Sequence, residues 1–205
     1  MNLIFDLDNT IYHPEVGVLR GVDKNINKYM NEIVGIDTDD VDLLRQEYRK
    51  KYGVTLKGLI LHHNVDPYHY LEYVHNIEYH LILFRDEKLI NILSKIPYKK
   101  YIFTNGSKNH ALSVLSHLEI LDFFEKIYSI EDLDFHPKPS DESFERFIKL
   151  TGVSPHKSYF IDDMPENITK AKEFGFKTVL ISKNSCENAD FCLESIYEIN
   201  KIIVG

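Results

Sequence analysis

Asn2-Leu3-Ile4-Phe5-Asp6-Leu7-Asp8-Asn9-Thr10 decides how this chain is read, because an apolar run ends abruptly in two carboxylates one residue apart. A short, continuous apolar run suits a strand buried on both faces of a parallel sheet, where helices cover each side. In an open α/β sheet, ligands bind beyond the carboxyl ends of the strands, so Asp6 and Asp8 fall where a site is expected. Alternate residues leaving a strand can point the same way. One carboxylate then serves as a nucleophile and the other as general acid and base. On its own, the same pair reads equally well as solvated loop aspartates, since Asp is common in turns.

Working outward, similar runs recur at Tyr101-Ile102-Phe103, Ile127-Tyr128, Tyr159-Phe160-Ile161 and Thr178-Val179-Leu180-Ile181. Helical patterns separate them. Residues 107–118 carry apolar positions at helical spacing. Ser140 caps the next helix, with Asp141 and Glu142 in its first turn and Gly152 at its end. Pro165 suits a first helical position, and Gly175 closes that helix. Strands alternating with helices predict a doubly wound α/β core with a parallel sheet. Between residues 16 and 84 the strands disappear. Val22, Ile26, Tyr29, Met30 and Ile33 mark one amphipathic helix, and Val41, Leu44 and Tyr48 a second. Leu56, Leu59 and Ile60 mark a short third, and Asp66-Pro67 opens a fourth. The expected organisation is a catalytic core at 1–15 and 85–205, with residues 16–84 as an inserted helical lid. Residues after Ser185 read as a weakly patterned C-terminal helix without a function.

Three further elements stand after strands. Thr104-Asn105-Gly106 precedes a helix and offers hydroxyl, amide and main-chain N–H groups to an anion; a plain turn and helix cap is the blander reading. Pro137-Lys138-Pro139 fixes a lysine whose ammonium can neutralise phosphate as a point charge, although most lysines are simply solvated. Asp162-Asp163 ends a strand, with Asn167 shortly beyond, and such oxygen ligands suit Mg²⁺. Each bland reading is reasonable singly, but not for all four elements together, in this order and at strand ends.

Composition narrows the partners. The chain has 205 residues, 43% hydrophobic and 27% charged, as an ordinary globular protein has. A net charge of −8 argues against a general nucleic-acid binder, which needs a basic face. An anionic small molecule must therefore meet a local positive site. The two cysteines, Cys186 and Cys192, suggest no disulfide framework and fit a reducing compartment. The first strand begins almost at Met1, which leaves no room for a targeting peptide ahead of it, and no apolar run approaches membrane-spanning length. A cytoplasmic location without membrane association is expected.

The four elements together resemble the motifs of haloacid dehalogenase superfamily phosphatases: FDLDNT at 5–10, Thr104 within FTNG, Lys138, and IDDMPEN at 161–167. The resemblance implies a Rossmann-like core with an inserted helical cap. It implies Asp6 as the nucleophile that forms a phosphoaspartate, and Asp8 as the acid that protonates the leaving oxygen and then activates water. Thr104, Asn105 and Lys138 would hold phosphate. Mg²⁺ would bind Asp6, the Asp8 backbone carbonyl and Asp163, with Asp162 a further ligand or acting through water. Many members carry a second aspartate where Asn167 stands. Asp8 argues against the dehalogenase branch, which needs no acid for a halide. A narrower resemblance, to pyrimidine 5′-nucleotidases, rests on FDLDNTIY, YGVTLKGL at 52–59, DPYHYLEYVH at 66–75 and IFTNG. It implies UMP or CMP as substrate, with Tyr12, Lys57, His62 and His63 as candidate contacts; for each of the cap residues, a solvated surface position is the bland alternative. His62, His63, His69, His75 and His80 lack the paired spacing of a zinc site. Two other readings stay open: a phosphatase or phosphomutase for another small organic phosphate, such as a sugar phosphate or pyridoxal phosphate, and a non-catalytic binding protein on the same fold. The intact set of Asp6, Asp8, Lys138 and Asp163 weighs against the last.

Overall fold

A computed structural model describes residues 1–183, 186 and 188–203. The strands are β1 (Asn2–Phe5), β2 (Lys99–Phe103), β3 (Lys126–Tyr128), β4 (Ser158–Asp162), β5 (Lys177–Ile181) and β6 (Phe191–Leu193). They form one 6-stranded sheet in the order β3-β2-β1-β4-β5-β6, with every pairing parallel. The helices are α1 (Val18–Glu32), α2 (Thr38–Tyr52), α3 (Thr55–His63), α4 (Pro67–Val74), α5 (Glu87–Ser94), α6 (Lys108–His117), α7 (Asp141–Thr151), α8 (Pro165–Glu173) and α9 (Asn200–Ile203).

Strand residues alternate between two apolar layers, as the pleat requires. Leu3, Phe5, Ile102, Ile161 and Val179 join Leu89 of α5 and Val114 of α6 on one face. Ile4, Phe103, Phe160 and Leu180 join Phe144 and Phe147 of α7 and Ile168 of α8 on the other. Both faces are covered, which explains the continuous apolar runs and gives the expected doubly wound α/β fold. The chain leaves central β1 for β2 and β3 on one side, then crosses to β4. The crevice where strand order reverses lies beyond β1 and β4, and it is the usual ligand site of such sheets.

The helical block α1–α4 has an apolar cluster of its own. Val22, Tyr29, Met30, Tyr48, Leu59 and Tyr70 are among its members. Its caps follow the sequence signals. Asp66 accepts from Tyr68 N and His69 N ahead of Pro67, and Gly53 ends α2 at φ 83°. Gly53 is also a point of close approach. A Cβ there would stand 3.0 Å from the main-chain oxygen of Lys138, so the end of α2 rests on the lysine loop. Val18 and Tyr79, in contrast, pack into the layer against the sheet.

Three features depart from the sequence expectation. Helix α5 lies in the return from the helical block to β2, where no helix was expected. The tail after Ser185 (itself outside the described residues) begins with an edge strand, β6, and only then forms a 3₁₀ turn and the short α9. β6 carries only three residues, too few to show a period. Its pairing with β5 sets Cys192 opposite Leu180, and Cys192 is joined to Cys186 by a disulfide with Cα atoms 5.7 Å apart. The expected absence of disulfides is thus corrected by one local link. Among the described residues, no helix is long and apolar enough to cross a membrane.

Candidate active site

Asp6 continues β1 past its last paired residue, its main-chain N donating to the Ile161 oxygen of β4 at 2.8 Å. That bond fixes the carboxylate at the strand-order reversal. Lys138, 1% exposed, reaches it from the loop ahead of α7 and donates to Asp6 Oδ1 at 2.8 Å and Asp162 Oδ2 at 2.7 Å. The Phe103 and Phe160 rings lie 5.1 Å and 5.5 Å from the same Nζ. A buried ammonium persists only when it is paired in this way. The two carboxylates raise its pKa well above the ordinary lysine value despite burial.

Asp162 is fully enclosed, and both its oxygens are engaged. Oδ1 accepts from Met164 N at 2.9 Å, and Asn167 Nδ2 donates to Oδ1 and Oδ2 at 3.0 Å each. Together with Lys138 this leaves Asp162 orienting its neighbours. Asp163 has no such enclosure by donors; burial, and then the charge of Asp162, push its carboxyl up to about 7. Burial likewise pushes Asp6 well above the usual carboxylate range, Lys138 opposing it and Asp162, Asp163 and Asp8 reinforcing it. Carboxylate oxygens of Asp6, Asp162 and Asp163 all lie within 4.8 Å of one another. This is an excess of negative charge on hard oxygen donors with one ammonium to offset it. Such a donor set fits a divalent cation.

The surroundings of Asp8 pull its carboxyl in opposite directions. Burial raises its pKa, but the charge and hydrogen bond of His110 and the hydroxyl of Tyr12 outweigh burial and lower it. Tyr12 donates to Oδ1, and His110 Nε2 lies 2.7 Å from the same oxygen. Tyr12 was expected near substrate, and the structure sets its hydroxyl against Asp8. Thr104 Oγ1 accepts from Gly106 N at 2.9 Å. Asn105, expected at phosphate, has its side chain on the lysine loop and also lines the cleft beside Asp6. Its Nδ2 donates to Lys138 O at 3.0 Å and its Oδ1 accepts from Lys138 N at 2.8 Å. Asn105 therefore aims Lys138.

A cleft of about 290 Å³ joins this centre to the helical block, with Asp6 and Asp8 at its floor and Val22, Leu56 and Tyr70 among its walls. Lys57 lines a wider cleft of about 930 Å³ beside it, with Lys138 and Asn105. The other two cap candidates are tied to tyrosines: His62 Nε2 to Tyr52 at 2.7 Å and His63 Nε2 to Tyr48 at 2.9 Å. The remaining histidines of the block are spoken for as well. His69 meets Tyr29, and His80 meets Glu78. Sequence reading missed His110 and Arg45. Arg45 is 5% exposed and edges the smaller cleft while bonding to Asp23 and Asn27. Neither follows a strand end, so neither carried a positional signal.

The model of the family "Haloacid dehalogenase-like hydrolase" matches residues 3–181. Phosphate metabolism protein 8 of Saccharomyces cerevisiae is 30% identical over 86% of this chain, which spans 60% of that protein's length. A glyceraldehyde 3-phosphate phosphatase of Methanocaldococcus jannaschii is 24% identical over 98% of this chain and 96% of its own. Among solved structures, a phosphatase from Thermococcus onnurineus superposes with a TM-score of 0.67 at 22% identity, covering 100% of this chain and 98% of its own.

Proposed function

Because the chain belongs to the haloacid dehalogenase-like hydrolases, we propose that it is a magnesium-dependent phosphomonoesterase working through an aspartyl phosphate on Asp6. The observation that carries this reading is the division of labour between Asp6 and Asp8. Asp6 is paired with the buried Lys138, whereas Asp8 is held through Oδ1 by Tyr12 and His110. In this reading Asp6 attacks phosphorus, the bond to the leaving oxygen breaks, and Asp8, which enters the step protonated with the proton gained from water in the preceding turnover, delivers that proton to the leaving oxygen. Asp8 then takes a proton from the water that attacks the phosphoaspartate, releasing phosphate and restoring Asp6. Lys138 and Thr104 hold the phosphate oxygens, and Asn105 positions Lys138. The Asp6 and Asp163 carboxylates and the Asp8 main-chain carbonyl would hold Mg²⁺, with Asp162 behind them. When bound, the cation offsets the charge that two anionic reactants bring together.

The substrate we propose is a nucleoside 5′-monophosphate, pyrimidine in preference to purine. Support comes from the cleft over Asp6, whose walls are mostly apolar and include Tyr70, surfaces suited to a flat base more than to a polyol. At about 290 Å³ it is also at the small end of ligand pockets, roughly 300–1,000 Å³, which favours one ring over two. Helices α1–α4 act as the lid, closing out water. A second reading, a triose- or sugar-phosphate phosphatase, is favoured by the name of the archaeal relative aligned over nearly the whole chain. A screen of phosphate release with Mg²⁺ across UMP, CMP, AMP, GMP, glyceraldehyde 3-phosphate, hexose phosphates and pyridoxal phosphate separates them. Equal kcat/KM for purine and pyrimidine nucleotides removes the pyrimidine preference, and a triose optimum selects the second reading. Absence of release from every ester overturns the chemistry.

A further inference from the structure

His110 touches no reacting group in the steps above, yet its side chain is wholly enclosed beside Asp8. It stands on the first turn of α6, where its main-chain N donates to Ser107 Oγ at 3.1 Å and fixes the turn. Both ring nitrogens are engaged: Nε2 lies 2.7 Å from Asp8 Oδ1, and Nδ1 lies 2.7 Å from the Tyr79 hydroxyl. Tyr79 in turn donates to the His75 main-chain oxygen at 3.0 Å. The His75 ring stacks on His110 with centroids 4.4 Å apart and planes at 21°. An imidazole bonded at both edges and covered on a face cannot rotate.

The consequence reaches Asp8. With Tyr12 and His110 both on Oδ1, the carboxylate has one orientation, and Oδ2 accepts no hydrogen bond among the described residues. Oδ2 lies 3.5 Å from where a Cβ on Gly106 would stand, a point itself 3.2 Å from Thr104 Oγ1. The unengaged oxygen of Asp8 therefore faces the phosphate-holding loop. We propose that His110 is the positioning residue of the acid: it holds Asp8 Oδ1 so that Oδ2 meets the leaving oxygen, and through Tyr79 and His75 it ties that aim to the end of α4 and the 3₁₀ turn after it. A purely packing role explains this poorly. An apolar side chain would fill the same space without the cost of stripping water from an imidazole.

The inference rests on Asp8 acting as the acid, so Asp8→Asn is run beside His110→Ala. The substrates are an alkyl phosphate, whose leaving oxygen needs a proton, and p-nitrophenyl phosphate, which needs it far less. Losing one charge-assisted contact to the carboxylate is expected to lower kcat on the alkyl ester about 10- to 100-fold, with KM within about twofold. The aryl ester is expected to lose about fivefold less. His110→Gln, whose amide can still donate to Oδ1, recovers most of the loss on the alkyl ester. Tyr79→Phe shows the same selectivity at smaller size, and these two variants carry the test if melting curves show that His110→Ala does not fold. Equal losses on both esters, a change confined to KM, or no recovery by Gln overturns the role of His110 while Asp8→Asn remains selective. If Asp8→Asn itself slows both esters equally, the acid reading fails and this inference falls with it.

Discussion

Lys138 and Arg45 are each almost wholly buried, at 1% and 5% exposure, but the two halves of the molecule enclose them differently. Lys138 is gripped by residues far away in the chain: Asp6, 132 positions distant, Asp162, and the amide of Asn105 on its backbone. Only the assembled sheet brings those groups together. Arg45 is held within the helical block itself, α2 against α1, by Asp23 and Asn27, and its Nε finds no acceptor. The tyrosine–histidine pairs Tyr48–His63 and Tyr52–His62 are likewise internal to the block. The core centre is therefore a single coupled unit, in which removing one charge strands the others. The block packs largely on its own cluster and meets that centre at a few points, Gly53 against the Lys138 loop and His75 against His110, so surface changes away from these points leave the centre intact. Catalytic variants should have large effects, and block variants should have small ones that depend on substrate.

The largest effect belongs to Asp6→Asn. The amide keeps the shape and the contact with Lys138 but loses the nucleophile, so turnover should fall by several orders of magnitude, about 10³-fold or more. Phosphate release close to that of the unaltered protein would break the comparison outright.

Next comes the cation. Asp163 titrates near an ordinary 3.8 when unfolded but at about 7 when folded, raised by burial and then by Asp162. Between those values the folded state binds more protons than the unfolded state. Stability of the metal-free protein should therefore fall as pH rises from about 4 to about 7 and level off above. Mg²⁺ competes with that proton, so it should raise the melting temperature more at pH 8 than at pH 5. Thermal melts with Mg²⁺ or EDTA at the two pH values check this, and equal stabilisation at both would count against Asp163 as a ligand. Phosphate release in EDTA should drop to background.

The same contrast explains what could be read from the sequence. Strands β1, β2, β4 and β5 were legible because burial on both faces makes their composition continuous, and α1–α4 because caps such as Asp66-Pro67 and Gly53 punctuate them. β6 was not, since three residues at a sheet edge have no period, and with it went the pairing of Cys186 and Cys192. The strand-end residues of the candidate site announced themselves by position. What the spacing could not convey was how they divide the work. Asn105 turns to the Lys138 backbone, Asp162 is saturated by Lys138, Met164 and Asn167, and His110 reaches back across 102 positions to Asp8. Those are products of packing, and no short motif encodes them.

A smaller effect is expected at Gly106, where core geometry is tight but no charge is removed. A Cβ there would stand 2.9 Å from His110 Cδ2 and 3.2 Å from Thr104 Oγ1, so neighbours on both sides must shift. Gly106→Ala should lower kcat about tenfold, because Asp8 and the phosphate loop lose register, with modest change in melting temperature. A variant with unchanged kcat would show that this loop tolerates movement and is less coupled than the comparison holds.

The smallest effects test the block. Lys57 lines the wide cleft it shares with Lys138, and no ion pair engages it among the described residues. In the proposed reading its charge attracts an anionic substrate on entry without touching the reacting atoms. Lys57→Ala should raise KM for a nucleotide about two- to fivefold, leave kcat nearly unchanged, and lose its effect in high salt, as a screened surface charge does. His63 is engaged elsewhere. With Nε2 on Tyr48, a ring buried among the block's apolar residues, His63→Ala removes a hydrogen bond worth about 0.5–1.5 kcal/mol. It should lower the melting temperature by a few degrees at most and leave KM alone. The two variants measured side by side on UMP and p-nitrophenyl phosphate separate a residue that faces substrate from one that fastens helices. If His63→Ala instead raises KM for UMP alone, His63 faces substrate, and the Tyr48–His63 pair opens to receive the leaving group.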